Sequence, residues 1–152
     1  MAITRSVIEA RLKRSNSLLL EMIDASTDPG DTPLIGDAIE EALLLMGYTV
    51  ATIGSVDDAD LATVPDDQVP YLLAQTSYCL HTAMLPNVIA IVSEMVTGDQ
   101  VMYSDMARRL ETRIAAEGKE IEVKYVNGQS GTYGGKMAPN PVIPDSALET
   151  YL

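Results

Sequence analysis

The chain contains no tryptophan and no phenylalanine, and only one cysteine. Without the two largest apolar rings, its core has to be filled by Leu, Ile, Val, Met and Ala, with the seven tyrosines at the margins. Aliphatic interiors of this kind suit helix-on-helix packing. A single thiol, Cys79, excludes an internal disulfide and a thiolate zinc site. No stretch approaches the roughly 20 consecutive apolar residues that a membrane-spanning helix requires. The opening Met1–Ser6 holds no apolar run of signal-peptide length. The most informative absence is of positive charge: no Lys or Arg occurs between Arg14 and Arg108.

Fifteen acidic residues, from Glu21 to Asp105, fill that interval. Arg5, Arg11, Lys13 and Arg14 precede it; Arg108, Arg109, Arg113, Lys119, Lys124 and Lys136 follow it. The chain is therefore an acidic body with two basic flanks, at a formal charge of −12. Like charges gathered in one body repel, so the arrangement has to face water, a channel or a basic partner. Free nucleic acid and membrane surfaces are poor ligands for it, since both are bound through clustered Lys and Arg. At 152 residues and 47% apolar content the chain is expected to form one domain with a substantial core and an appended arm.

Periodicity predicts a first helix over 5–24, with Val7, Ile8, Leu12, Leu19 and Ile23 near helical spacing. Asp28-Pro29-Gly30-Asp31 is a turn, and Thr32-Pro33 opens a second helix with Thr as N-cap and Pro at the first helical position. Leu34, Ile35, Ala38, Ile39, Ala42, Leu43 and Met46 give it one apolar stripe, and Gly47 closes it. Asp57 to Leu61 is an acidic helical turn. A long apolar helix starts near Val64-Pro65-Asp66-Asp67, stops at Pro86, and belongs at the centre of a bundle because no charge follows Asp67 within it. Asn87 to Met95, with Val88, Ile89, Ile91 and Val92, is expected as a short strand or extended segment. The longest helix is expected from Tyr103 to about Val126, its apolar face interrupted at Glu117 and Gly118.

The fold class expected is mainly α: a small bundle of about four to five helices over 1–126, and an extended Gly/Pro-rich C-terminal arm over 127–152. The arm's Gly128, Gly131, Gly134, Gly135, Pro139, Pro141 and Pro144 preclude a helix. Its Tyr133, Val142, Ile143, Leu148, Tyr151 and Leu152 are apolar anchors for a surface outside the arm itself.

No catalytic motif stands out. Cys79 and His81 are two apart on an expected helix and so point in different directions, and that helix supplies no carboxylate to orient the imidazole; a buried thiol and a tolerated histidine is the expectation. Asp57, Asp58, Asp60, Asp66 and Asp67 fail as a calcium loop: counted from Asp58, the sixth position is Thr63 and the twelfth Val69, where Gly and Glu are required. Gly131 to Met137 fails as a phosphate loop, with Ser130 and Met137 at positions that need Gly and Ser or Thr. No enzyme activity, metal or cofactor is expected. Arg108, Arg109 and Arg113 form a basic patch suited either to solvation or to pairing with a neighbour's acidic body.

The order of elements carries a resemblance. Leu44-Leu45-Met46-Gly47-Tyr48 ends a helix; Val56-Asp57-Asp58-Ala59-Asp60-Leu61-Ala62-Thr63-Val64-Pro65 follows; then come a long apolar helix and Tyr103-Ser104-Asp105 leading into a charged last helix. Over about residues 32–126 this resembles the adaptor proteins of tailed-bacteriophage head-to-tail connectors. The first helix and the Gly/Pro-rich arm are not explained by it. The resemblance implies a non-enzymatic virion component, assembled in the host bacterial cytoplasm, forming a ring of usually twelve copies beneath the portal. The ring would continue the channel through which DNA passes unbound, and would contact the next neck or tail protein. On that reading Tyr133, Val142, Ile143, Leu148, Tyr151 and Leu152 serve portal or neighbour binding, Arg108, Arg109 and Arg113 pair between subunits, and Asp57, Asp58, Asp60, Asp66 and Asp67 are candidates to face the channel. Two alternatives stay open: another phage neck or tail-completion protein, and a cellular acidic helical module that binds a basic partner.

Overall fold

A computed structural model describes residues 3–23, 25, 33–94 and 100–127. Among these the chain is mainly helical, with no strand. The helices are α1 (Arg5–Met22), α2 (Pro33–Leu45), a single acidic turn α3 (Asp58–Leu61), α4 (Val69–Glu94, entered through a 3₁₀ turn at Asp66–Gln68) and α5 (Gln100–Ile121, which ends in a π turn at Glu122–Asn127). The expected helical bundle is present. The turn at 28–31, the Thr32 cap and the arm from 128 onward lie outside the described residues.

α4 is the hub, packed against α5, α2 and α1. Its partners lie on different sides. Cys79 senses the charge of Glu41 on α2, whereas His81 bonds Glu117 on α5; two residues on a helix are about 200° apart. Tyr71 stacks on Tyr125 at a centroid distance of 4.9 Å, and Ser77 and His81 both reach Glu117, so α4 and α5 run antiparallel. The core is aliphatic, as the missing rings require: Ile8, Leu20, Ile35, Ile39, Leu43, Leu61, Leu72, Leu80, Met84 and Val88 are fully buried.

α2 stops where a glycine allows it. Gly47 has φ +86°, Gly47 N donates to the Leu44 carbonyl, and Tyr48 N donates to the Leu43 carbonyl. This pair of bonds returns two orphan carbonyls to the chain at a left-handed residue. Gly36, by contrast, provides room. A Cβ there would lie 2.9 Å from Arg5 Nη2, so α2 leaves space for the guanidinium that ties α1 to the segment before α3. Arg5 Nε donates to Glu9 Oε1 at 2.7 Å, Arg5 Nη1 donates to the Val56 carbonyl at 2.8 Å, and the Arg5 backbone N–H donates to Asp58 Oδ1 at 2.7 Å.

The structure corrects two boundaries. α4 does not stop at Pro86: it continues to Glu94, and residues 87–94, expected as strand or extended chain, are helical. At 26 residues it is also longer than the 22-residue α5, which begins at Gln100 and not Tyr103. A proline inside a helix costs about 3 kcal/mol through a lost hydrogen bond and a clash. Two facts offset this. Pro86 and Thr82, whose carbonyl it frees, are both exposed, so water satisfies that oxygen. The buried stripe Leu80, Met84, Val88 and the partly buried Val92 fall at i+4 steps and pass straight through the proline; burying Val88 alone is worth about 1.5–3 kcal/mol.

It follows that Pro86→Ala should stabilise the protein. The lost unfolded-state restriction of proline, about 0.4–1 kcal/mol, is smaller than the helix penalty removed, and a net gain of about 1–2 kcal/mol is expected. Urea unfolding at constant m-value measures it. Destabilisation would mean that the proline ring itself is needed for packing.

Candidate functional site

Helical geometry sorts the expected basic patch into two parts. Arg109 and Arg113 are four apart and share a face of α5; Arg108 is exposed but about 100° round the helix from Arg109. Arg109 and Arg113 face α1, where Arg11 and Arg14 join them. Four arginines from the two ends of the sequence thus line contiguous hollows, two between α1 and α5 and one on α1 itself, with Ser15 common to all of them. Arg109 also pairs with Asp105 at 3.2 Å, and Arg113 with Glu117 at 3.3 Å. Exposed Val7 and Leu18 border this basic surface. The contribution of Arg11 and Arg14 was missed in the sequence because more than ninety positions separate them from Arg109.

The five expected acidic residues do not act alike. Asp57 caps α3, its Oδ1 accepting from Ala59 N at 2.8 Å and Asp60 N at 3.0 Å. Asp60 is turned inward, 6% exposed, its carboxylate accepting from Ala51 N at 2.9 Å and Asp57 N at 3.1 Å. The backbone N–H of Ala51 and then that of Asp57 hold its carboxyl below the usual value, against the opposing effect of burial and with help from the Asp57 side chain. A carboxylate used this way closes a loop and cannot face a channel, so Asp60 leaves that set. Asp58 is exposed and accepts from the Arg5 backbone; Asp57, Asp66 and Asp67 are exposed at the start of α3 and of the turn into α4. Asp37 and Glu41 of α2 are exposed as well, beside exposed Leu44 and Leu45. No group of three His, Cys, Asp or Glu among the described residues is placed to hold a metal ion, and no helix there is long and apolar enough to cross a membrane.

Below the arginines lies a polar clasp that the sequence reading did not find. His81 is fully buried. Its Nδ1 is 2.7 Å from Glu117 Oε2 on α5, and its Nε2 is 2.7 Å from Asn16 Oδ1 on α1. Asn16 Nδ2 donates to the Leu12 carbonyl at 3.0 Å, which fixes the amide with its oxygen toward the imidazole. Both ring nitrogens therefore meet oxygens, and both bonds are made as N–H donations only by the cationic ring. Glu117 also accepts from Ser77 Oγ at 3.1 Å. Burial by itself raises the Glu117 carboxyl; the His81 bond and charge, the Arg113 charge and the Ser77 hydroxyl outweigh it and hold it below its ordinary value. Asn16 has φ −126° and ψ 18°, so α1 bends where it reaches the clasp.

The partner carboxylate comes from another helix, which reading within one helix could not show. The visible trace was the interruption of the α5 apolar face at Glu117. Gly118 beside it lets α5 approach closely, for a Cβ there would stand 3.3 Å from the Tyr78 ring.

Cys79 is buried as expected. Burial, with Glu41 adding, pushes its thiol up to about 11 against the hydrogen bond from Gln75. At neutral pH that is an inert thiol. The arm residues Tyr133, Val142, Ile143, Leu148, Tyr151 and Leu152 lie outside the described residues.

No protein-family model, curated protein or solved structure matches the chain.

Proposed function

We propose that the protein is a structural adaptor of a tailed-phage head-to-tail connector, one of the copies in a ring that binds the portal and extends the DNA channel toward the tail. The observation that carries this reading is the sorting of charge by face. Arg11, Arg14, Arg109 and Arg113 with Val7 and Leu18 line one set of hollows, whereas Asp37 and Glu41 are exposed on α2 beside Leu44 and Leu45, and Asp57 and Asp58 are exposed at α3. Two unlike, complementary patches on one body join head to tail, and such contacts close into rings when the rotation allows. The element order of 32–126 supports the same class of protein.

Within a ring the remaining carboxylates repel a passing phosphate backbone. One pair of charges about 10 Å apart in water contributes only about 0.4 kcal/mol, less after screening over about 8 Å. Repetition in every subunit is what makes such a wall effective.

The test is assembly with portal rings. The full chain is expected to co-sediment with portal as a ring visible by negative stain. A chain lacking residues 128–152 should stay folded by circular dichroism and fail to join. Normal docking by the truncated chain would remove the arm from the interface. A full chain that ignores portal and remains a single copy would overturn the adaptor reading in favour of a cellular binding module.

A further inference from the structure

The hollows between α1 and α5 form one groove that begins where the described chain ends. At one end are Tyr125, Ile121 and Glu120; at the other are Met106, Arg109 and Leu18. From Tyr125 to Met106 is 19 residues of helix (125 − 106), about 29 Å at 1.5 Å per residue. The two hollows that α5 shares with α1 measure about 490 and 560 Å³. Charge changes along the walls: Glu117 and Glu120 stand at the Tyr125 end, Arg11 and Arg113 in the middle, Arg14 and Arg109 toward the far end. Among the described residues neither Arg11 nor Arg14 has an ion-pair partner. The pair Arg109–Asp105 is exposed and so is easily exchanged.

Twenty-five residues (128–152) follow Asn127, which is itself two positions beyond Tyr125. Their charge order matches that of the groove. Lys136 comes first, and from Met137 to Leu152 there is no cation but two acids, Asp145 and Glu149, among Val142, Ile143, Leu148, Tyr151 and Leu152. Gly128, Gly131, Gly134 and Gly135 precede the lysine and permit a reversal of direction. Sixteen residues (137–152) span about 53 Å when extended, more than the groove requires.

We propose that the segment Met137–Leu152 docks in the α1/α5 groove of its own chain. The glycine-rich stretch turns the chain back at the Tyr125 end, Lys136 exchanges with Lys124 at the exposed Glu120, and Asp145 and Glu149 meet Arg14 and Arg109, with apolar side chains laid against Leu18, Leu19 and Met106. This goes beyond the adaptor reading: it concerns the free protein and stands or falls without a portal. If the adaptor reading also holds, joining the portal is an exchange of the arm from this groove to the partner.

The experiment is paramagnetic relaxation enhancement on the full chain. Thr150→Cys carries a nitroxide; Cys79, buried and with its thiol raised to about 11, stays unlabelled. In dilute ¹⁵N-labelled protein the amide signals of Ser15, Leu18, Met106 and Leu110 are expected to broaden beyond detection, while those of α2 keep their intensity. Arg14→Glu with Arg109→Glu should restore the lost signals, and adding Asp145→Arg and Glu149→Arg to that pair should remove them again. Full intensity in the groove of the unaltered sequence overturns the proposal, as does broadening that survives the arginine reversals. Broadening that appears only when spin-labelled, unlabelled-isotope chains are mixed with ¹⁵N chains places the segment on a neighbouring copy and overturns docking within one chain.

Discussion

Replacing His81 by alanine should lower the free energy of unfolding by about 3–5 kcal/mol, because a fully buried ring is removed and two hydrogen-bond partners lose it. The size follows from what is left behind. Asn16 Oδ1, in a residue 2% exposed, loses its only side-chain donor among the described residues, and Glu117 loses its closest one. A cavity the size of an imidazole adds to the loss. Glu117→Gln should cost less, about 1–3 kcal/mol, since an amide oxygen still accepts from the ring while the charge and the acceptor for Ser77 and Arg113 are lost. Cys79→Ala, two residues away and outside the clasp, should cost about 1 kcal/mol. Urea unfolding of the three variants gives the order directly; a His81→Ala loss no larger than that of Cys79→Ala would show that the clasp contributes nothing beyond packing. The acid limb of stability has a definite sign. A carboxyl lowered in the folded state contributes stability above its unfolded value, 4.5 for Glu117, and that contribution disappears as pH falls through the lower folded value. Without His81 the two largest lowering effects on Glu117 vanish, so its share of the acid loss shrinks.

Arg5→Met should cost about 2–3 kcal/mol. Glu9 is the reason: its side chain is only 7% exposed, and Arg5 Nε is its charge partner. Stranding a fully buried charge costs more, but the Arg5 side chain is 28% exposed, so water enters where it stood and reduces the loss. The Val56 carbonyl also loses its donor. If the stranded carboxylate is the main term, Glu9→Met added to Arg5→Met should recover part of the loss, and the double-mutant cycle should show coupling above about 1 kcal/mol. Additive losses would assign the effect of Arg5→Met to its contact with α2 at Gly36.

How much could be read from the chain depended on whether the relevant signal was local. Helix α2 was legible to within a residue because its start, stripe and stop are written within fifteen positions, from Pro33 to Gly47. The acidic turn at 57–61 was legible for the same reason. Pro86 misled because its local rule, that helices stop before proline, competes with a stripe from Leu80 to Val92 whose burial depends on neighbouring helices. The central place of α4 could be inferred from its missing charge. The four-arginine groove and the clasp could not, because each assembles side chains from α1 with side chains from α4 or α5. Asp60 shows the opposite error: counted as one of five surface acids, it is consumed by two backbone N–H groups within ten residues of itself.

The three contacts that hold α1 span great lengths of chain. Asn16 meets His81 across 65 positions, and Arg5 meets Asp58 and Val56 across 53 and 51. α4 and α5 meet across 36 to 40 at Glu117. Closing longer loops has the greater entropic cost, and local pairings form sooner. On this ground the α4/α5 hairpin is expected to assemble before Asn16 reaches His81. During synthesis α1 leaves the ribosome before the helices it packs on: Arg5 can find Gly36, Val56 and Asp58 well before Asn16 can find His81.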